Sequence, residues 1–116
     1  MSARPEPDLE VSPEETVRAL REDRAQLVDV REPYEYEAGR IEGALHVELG
    51  QLAAAAPTLD PERPVIFQCR VGGRSAMAAQ AFRAAGYDAY SLRGGLLAWH
   101  AAGLPLVPEG GTVAPH

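Results

Sequence analysis

Short apolar runs alternate with helix-patterned runs along almost the whole of this chain, and that alternation limits the fold more than any other feature. Gln26-Leu27-Val28-Asp29-Val30 and Val65-Ile66-Phe67-Gln68 are β-branched or aromatic and nearly free of polar alternation, so both read as buried strands. Residues 8–11, 43–47 and 87–92 give three weaker strands. Helical runs fall between and after them, at residues 13–21, 34–38, 49–56, 75–85 and 95–101. Strands that alternate with helices at this spacing predict a parallel α/β sheet covered on both faces.

Local signals sharpen the boundaries. Ser12-Pro13-Glu14-Glu15 is a capping box with proline at the first helical position, and it starts a helix with Val17 and Leu20 expected on the inner face. Gly39 and Gly86 end helices, and the three prolines among residues 57–64 mark a surface loop. Residues 1–7 are polar with two prolines and are expected to fray, residues 8–105 form the domain, and residues 106–116 read as a loosely attached Pro/Gly-rich tail.

At 116 residues the chain is one domain, large enough to bury a core without disulfide staples. Seventeen acidic residues against eleven arginines, with no lysine, give a net charge of −6, which counts against capture of nucleic acid. No apolar run approaches the ~18 residues of a membrane helix, and the opening MSARPEPDLEVSPEE lacks a signal-peptide core. The expected setting is therefore cytoplasmic and reducing. A single cysteine, Cys69, excludes an intrachain disulfide and any multi-cysteine zinc site.

Cys69 ends the strongest strand and opens a polar loop, Cys69-Arg70-Val71-Gly72-Gly73-Arg74, that runs into a helix at Ser75. Ligands in parallel α/β sheets sit outside the carboxyl ends of the strands, which points to this loop and to the turn after Val30. Gly72 and Gly73 are expected to take positive φ and turn backbone N–H groups inward, with the helix N-terminus adding its dipole. Arg70 and Arg74 would add charge at the rim. A thiol there is expected to exist substantially as thiolate, a nucleophile inside an anion cradle. The plainer reading of a lone cysteine is a small buried hydrophobe, but a core cysteine needs no polar glycine loop around it. Such a cradle suits an anionic substrate with an electrophilic atom, either a phosphate ester or a sulfane-sulfur donor such as thiosulfate.

These motifs carry a resemblance. Asp29-Val30-Arg31-Glu32-Pro33, the run from Gly39 to Leu45, the loop from Cys69 to Ser75, and Gly94-Gly95 with Trp99, Gly103 and Pro105 together resemble a single-domain rhodanese over residues 9–105. The resemblance implies a three-layer fold with a largely parallel five-stranded sheet. It also implies sulfurtransferase chemistry with Cys69 as persulfide carrier, residues Arg70, Val71, Gly72, Gly73, Arg74 and Ser75 binding substrate, and no metal or organic cofactor. The implied partners are a small anionic sulfur donor, a thiol or cyanide acceptor and a protein sulfur acceptor, with no nucleic acid or membrane. Related dual-specificity phosphatases carry one more loop residue, so the six-residue loop favours sulfur over phosphorus. Arg40 and Glu42 depart from the His and Pro frequent in relatives, outside the loop.

The neighbours have plainer readings. Asp29 and Arg31 could order the loop and add positive field, although an ion pair holding loops together is the simpler account of both. His46 reads as a packed, hydrogen-bonded core residue, and Trp99 as a core anchor. Glu35, Glu37 and Glu42 read as a solvated acidic face, and His100 and His116 as too isolated to suggest a metal. Two other functions stay open on the sequence: a phosphatase or arsenate reductase using the same loop, and a non-enzymatic sulfur-relay or binding module.

Overall fold

Five strands form one fully parallel sheet in the computed structural model, which describes residues 8–116; the fraying expected of residues 1–7 lies outside them. The strands are β1 (Glu10–Val11), β2 (Gln26–Asp29), β3 (Leu45–His46), β4 (Val65–Gln68) and β5 (Ala89–Leu92), in the order β1-β5-β4-β2-β3. Central β4 pairs with β2 from Gln26 opposite Val65 to Asp29 opposite Gln68, and with β5 on its other side. β1, β3 and β5 are shorter than the apolar runs that announced them, because their flanking residues leave the ladder.

The helices are α1 (Pro13–Arg21), α2 (Pro33–Ala38), α3 (Leu52–Ala55), α4 (Gly73–Ala84) and α5 (Gly95–Ala101). Both halves of the capping box form at α1, with the Glu15 amide donating to Ser12 Oγ at 3.0 Å and the Ser12 amide to Glu15 Oε1 at 2.8 Å. Its inner face is Thr16 and Ala19 rather than Val17 and Leu20, which are half-buried at the edge; small residues let the helix lie close to the sheet. The stretch expected as one helix at 49–56 is α3 flanked by two 3₁₀ turns, Leu49–Gln51 and Ala56–Thr58.

Alternating side chains divide the core into two layers. Val28 and Phe67 point to the face covered by Leu52 of α3 and by Ala78, Ala79 and Phe82 of α4. Leu27 and Ile66 point to the face covered by Ala19 of α1 and by Leu96 and Trp99 of α5. Trp99 is the core anchor expected, with its indole N–H donating to the Pro105 carbonyl at 2.8 Å.

The end of the chain departs from the expected loose tail. Leu104, Leu106 and Val113 pack on the α5-side core, Arg40 and Val107 exchange two backbone hydrogen bonds, and the Thr112 amide donates to Ala38 at 2.8 Å. Gly39 ends α2 in an extended conformation, not a left-handed one, and a Cβ there would strike the Thr112 backbone. A glycine that reads as a helix stop is thus a close crossing point for the tail.

Candidate active site

The carboxyl end of β4 delivers Cys69 to the centre of the sheet, and only three residues separate it from α4. Gly72 precedes α4 at φ 111°, the left-handed region that glycine occupies without a Cβ penalty. Gly73 does not share that conformation: it is the first residue of α4, so one glycine rather than two makes the turn. The consequence is convergence on sulfur. The Gly72 amide donates to Cys69 Sγ at 3.1 Å and the Ser75 amide at 3.4 Å, with Ser75 Oγ also 3.4 Å away. Cys69 is fully buried, with Phe67, Ala78 and Ala79 in the apolar layer on one side and these polar donors on the other.

The rest of the loop is turned by α5. The Leu96 amide donates to the Cys69 carbonyl at 2.8 Å and the Leu97 amide to the Arg70 carbonyl at 3.0 Å. A trans peptide points its N–H opposite its C=O, so pulling these carbonyls toward α5 aims the Arg70 and Val71 N–H groups away from it. Neither these two amides nor those of Gly73 and Arg74, in the unpaired first turn of α4, find an acceptor among the described residues. Gly95 makes the close approach possible: at φ 61°, its missing Cβ would lie 2.5 Å from the Arg70 and Cys69 carbonyl groups.

The two loop arginines have different fates. Arg74 does not stand free at the rim; it donates to Glu35 Oε1 at 2.8 Å and to Glu35 Oε2 at 3.0 Å. Glu35 is completely buried, which removes it from the solvated acidic face on which Glu37 and Glu42 remain. Burial pushes the Glu35 carboxyl up, but the Arg74 guanidinium and the Glu32 amide outweigh it and hold the group below its ordinary value. The same hydrogen bonds raise Arg74 against the opposing effect of burial. No carboxylate among the described residues pairs with Arg70, which is half-buried with an unpartnered Nε. Val71 at the loop tip is exposed.

Asp29 and Arg31 form the ion pair that was the simpler reading, fully buried at the end of β2. Arg31 Nε and Nη2 reach the Asp29 oxygens at 2.7–3.1 Å, and Nη2 also donates to the Gly39 carbonyl at 2.8 Å. The pair ties the end of β2 to the end of α2. His46 is packed as expected: Nε2 lies 2.7 Å from the Arg31 carbonyl, so this nitrogen donates, and the ring stacks on Tyr36 with centroids 4.3 Å apart. Arg40, the departure from the usual histidine, lies over the other partner of that stack, 4.6 Å from the Tyr36 ring centroid.

His116 is not isolated. It comes within 3.1 Å of Glu32 Oε2, and Glu32, Glu35 and His116 place one ligand atom each within 4.8 Å of one another. Both Glu35 oxygens already hold the Arg74 cation, which fills the charge role that a metal would take.

Three residues of the site escaped sequence reading. Glu35 follows Pro33 at the third helical position, where a carboxylate that caps α2 also points inward; the repeated capping pattern Glu32-x-x-Glu35 was the available signal. Gly95 was visible only as half of a glycine pair. Ser91, whose Oγ lies 2.8 Å from Ser75 Oγ, is a small polar residue in a buried strand and carried no signal beyond that.

A family model described as rhodanese-like domain matches residues 12–102. The Pseudomonas aeruginosa thiosulfate sulfurtransferase GlpE is 38% identical over 90 residues, spanning 77% of this chain and 81% of that protein. Among solved structures, a rhodanese-related protein from Thermoplasma volcanium is similar with a TM-score of 0.78 at 23% identity, over 84% of this chain and 96% of that one. A Rhodopseudomonas palustris protein of unknown function, described as a possible tyrosine phosphatase, gives 0.71 at 27% identity over 82% of this chain and 81% of its own.

Proposed function

This chain belongs to the rhodanese-like domain family, and from that membership we propose that it is a thiosulfate sulfurtransferase working through a persulfide on Cys69. The observation that carries the reading is the convergence of two backbone amides and one hydroxyl on Cys69 Sγ. Donors of this kind favour an anionic sulfur over a neutral one.

The Cys69 thiolate attacks the outer sulfur of thiosulfate. A new S–S bond forms, the bond to the sulfonate sulfur breaks, and its electron pair leaves with sulfite. The Arg70 guanidinium and the unclaimed amides of Arg70, Val71, Gly73 and Arg74 hold the donor's oxygens and then the terminal sulfur anion. Cys69 is fully covered, so the donor reaches it as the loop tip, Val71 and Gly72, shifts aside between the two held ends of the loop. In the second half an acceptor, cyanide or a thiol of a small molecule or protein, takes the outer sulfur and the S–S electron pair returns to Cys69. Arg74 has a structural part in this scheme, because Glu35 engages it. None of these steps calls for a metal or organic cofactor.

Intact mass spectrometry after thiosulfate treatment tests the reading. The wild type gains one sulfur atom that a thiol reductant removes, and Cys69→Ala gains none. A Cys69→Ala protein with undiminished thiosulfate:cyanide activity ends the assignment. Turnover of an aryl phosphate without thiosulfate activity replaces it with the phosphatase reading. Transfer from a partner persulfide far faster than from small donors marks a relay.

A further inference from the structure

Ser91 sits on β5, outside the loop, and its hydroxyl is fully buried. Among the described residues its one side-chain hydrogen bond is to Ser75 Oγ at 2.8 Å. Ser75, equally buried, has three groups within reach of its single hydroxyl proton: the Gly72 carbonyl at 3.2 Å, Cys69 Sγ at 3.4 Å and Ser91 Oγ. If Ser75 gave its proton to Ser91, the Ser91 proton would be left buried with no acceptor among the described residues, a costly state. If Ser91 gives its proton to Ser75, every donor in the chain of groups is satisfied.

We propose that Ser91 is a positioning residue for Cys69: by donating to Ser75 Oγ, it commits the Ser75 proton to Sγ or to the Gly72 carbonyl and to nothing else. The state of the sulfur then decides between the two. A thiolate draws the Ser75 proton, because a charged acceptor outcompetes a neutral carbonyl. A thiol, or a sulfur that has become the inner atom of a disulfide-like bond, releases that proton to Gly72. The Ser91 bond also polarises the Ser75 hydroxyl and strengthens its donation. Ser91 therefore favours the charged form of Cys69 without touching it. The inference builds on the nucleophilic role of Cys69, but it concerns the reactivity of the sulfur and not the identity of the donor.

The charged groups on the elements around this point are Arg70 in the loop, Arg74 on α4, Glu35 on α2 acting through Arg74, the Asp29–Arg31 pair at the end of β2, and the exposed Glu10–Arg93 pair, with Glu10 opposite Ser91 on β1. A Ser91 substitution alters none of them. The test is the pH profile of Cys69 alkylation by iodoacetamide, read by mass, which needs no sulfur donor and so stays informative if the sulfurtransferase reading fails. Ser91→Ala moves the midpoint upward by about half a pH unit, the order expected when one neighbour no longer polarises a hydrogen bond to a charged group. Ser91→Thr, which keeps the hydroxyl, retains the wild-type midpoint. In a Ser75→Ala background, Ser91→Ala causes no further shift, because the path through Ser75 is already gone. An unmoved midpoint in Ser91→Ala, or an equal shift with and without Ser75, overturns the proposal. Neutron diffraction of the wild type reads the same point without any substitution: deuterium on Ser91 Oγ facing Ser75 supports it, and deuterium on Ser75 Oγ facing Ser91 refutes it.

Discussion

Glu35 and Arg74 meet through two parallel hydrogen bonds of 2.8 and 3.0 Å, and that contact fastens α2 to the first turn of α4 directly beside the Cys69 loop. The carboxylate is fully buried and the guanidinium mostly so. Removing the carboxylate leaves the guanidinium without its partner where water reaches it poorly. Glu35→Gln is therefore expected to cost about 3 kcal/mol, measured as the shift of the urea midpoint at pH 7.

The same pair sets a pH dependence. The folded Glu35 carboxyl lies below its ordinary value of 4.5, so the unfolded chain takes up its proton first as pH falls. Its contribution is complete above about pH 5 and is lost as pH drops through the folded value. Thermal melts from pH 6 down to pH 3 should show the wild type converging on Glu35→Gln. A gap between the two that stays constant with pH would place the difference elsewhere.

Arg70 and Arg74 separate kinetically. Arg70 holds no carboxylate among the described residues, so Arg70→Ala is expected to raise KM for thiosulfate about tenfold, the loss of one charge-assisted hydrogen bond, with little change in melting temperature. Arg74→Ala lowers the melting temperature by several degrees. Steady-state kinetics beside calorimetry distinguishes them, and identical behaviour of the two variants would contradict this division.

Gly95→Ala places a methyl group against the Cys69 and Arg70 carbonyls at 2.5 Å and keeps a positive φ that alanine resists. The loop must move to accommodate it. A stability loss of about 1–3 kcal/mol is expected, with at least a tenfold fall in kcat/KM. Activity equal to wild type would show that the carbonyl anchors do not govern the loop.

Gly39→Ala pushes the added Cβ into the Thr112 backbone. The tail should detach there, seen as faster amide exchange at Thr112 and Val107, while exchange in β4 stays slow. Uniform acceleration across both would mean that the tail and the sheet open together.

Much of the architecture was legible because strong local signals agreed with the packing. The bounds of α1, β4 and α5 follow from the capping box at Ser12, the run Val65–Gln68 and the glycine pair before Leu96. Cys69 and its loop were legible for the same reason: a strand, a glycine turn and a helix meet there. What escaped were tertiary choices. Whether Glu35 faces water or Arg74 depends on how α2 lies against α4, and no local pattern encodes that. Arg74 turns from the rim to Glu35 for the same reason. The tail docks against its composition because a segment rich in Pro and Gly can still pack when a glycine on the receiving surface lets backbones cross.

The carbonyl anchors on α5 have a wider consequence. They clamp the loop at Cys69 and Arg70, and α4 clamps it again at Gly73, so the segment between is a short exchangeable cassette with fixed ends. Lengthening or trimming it redraws the loop over Cys69 while the sheet, the helices and the cysteine itself stay where they are. If the loop holds an anion as proposed, a scaffold built this way is re-tuned to anions of another size by an insertion or deletion rather than by a new set of side chains.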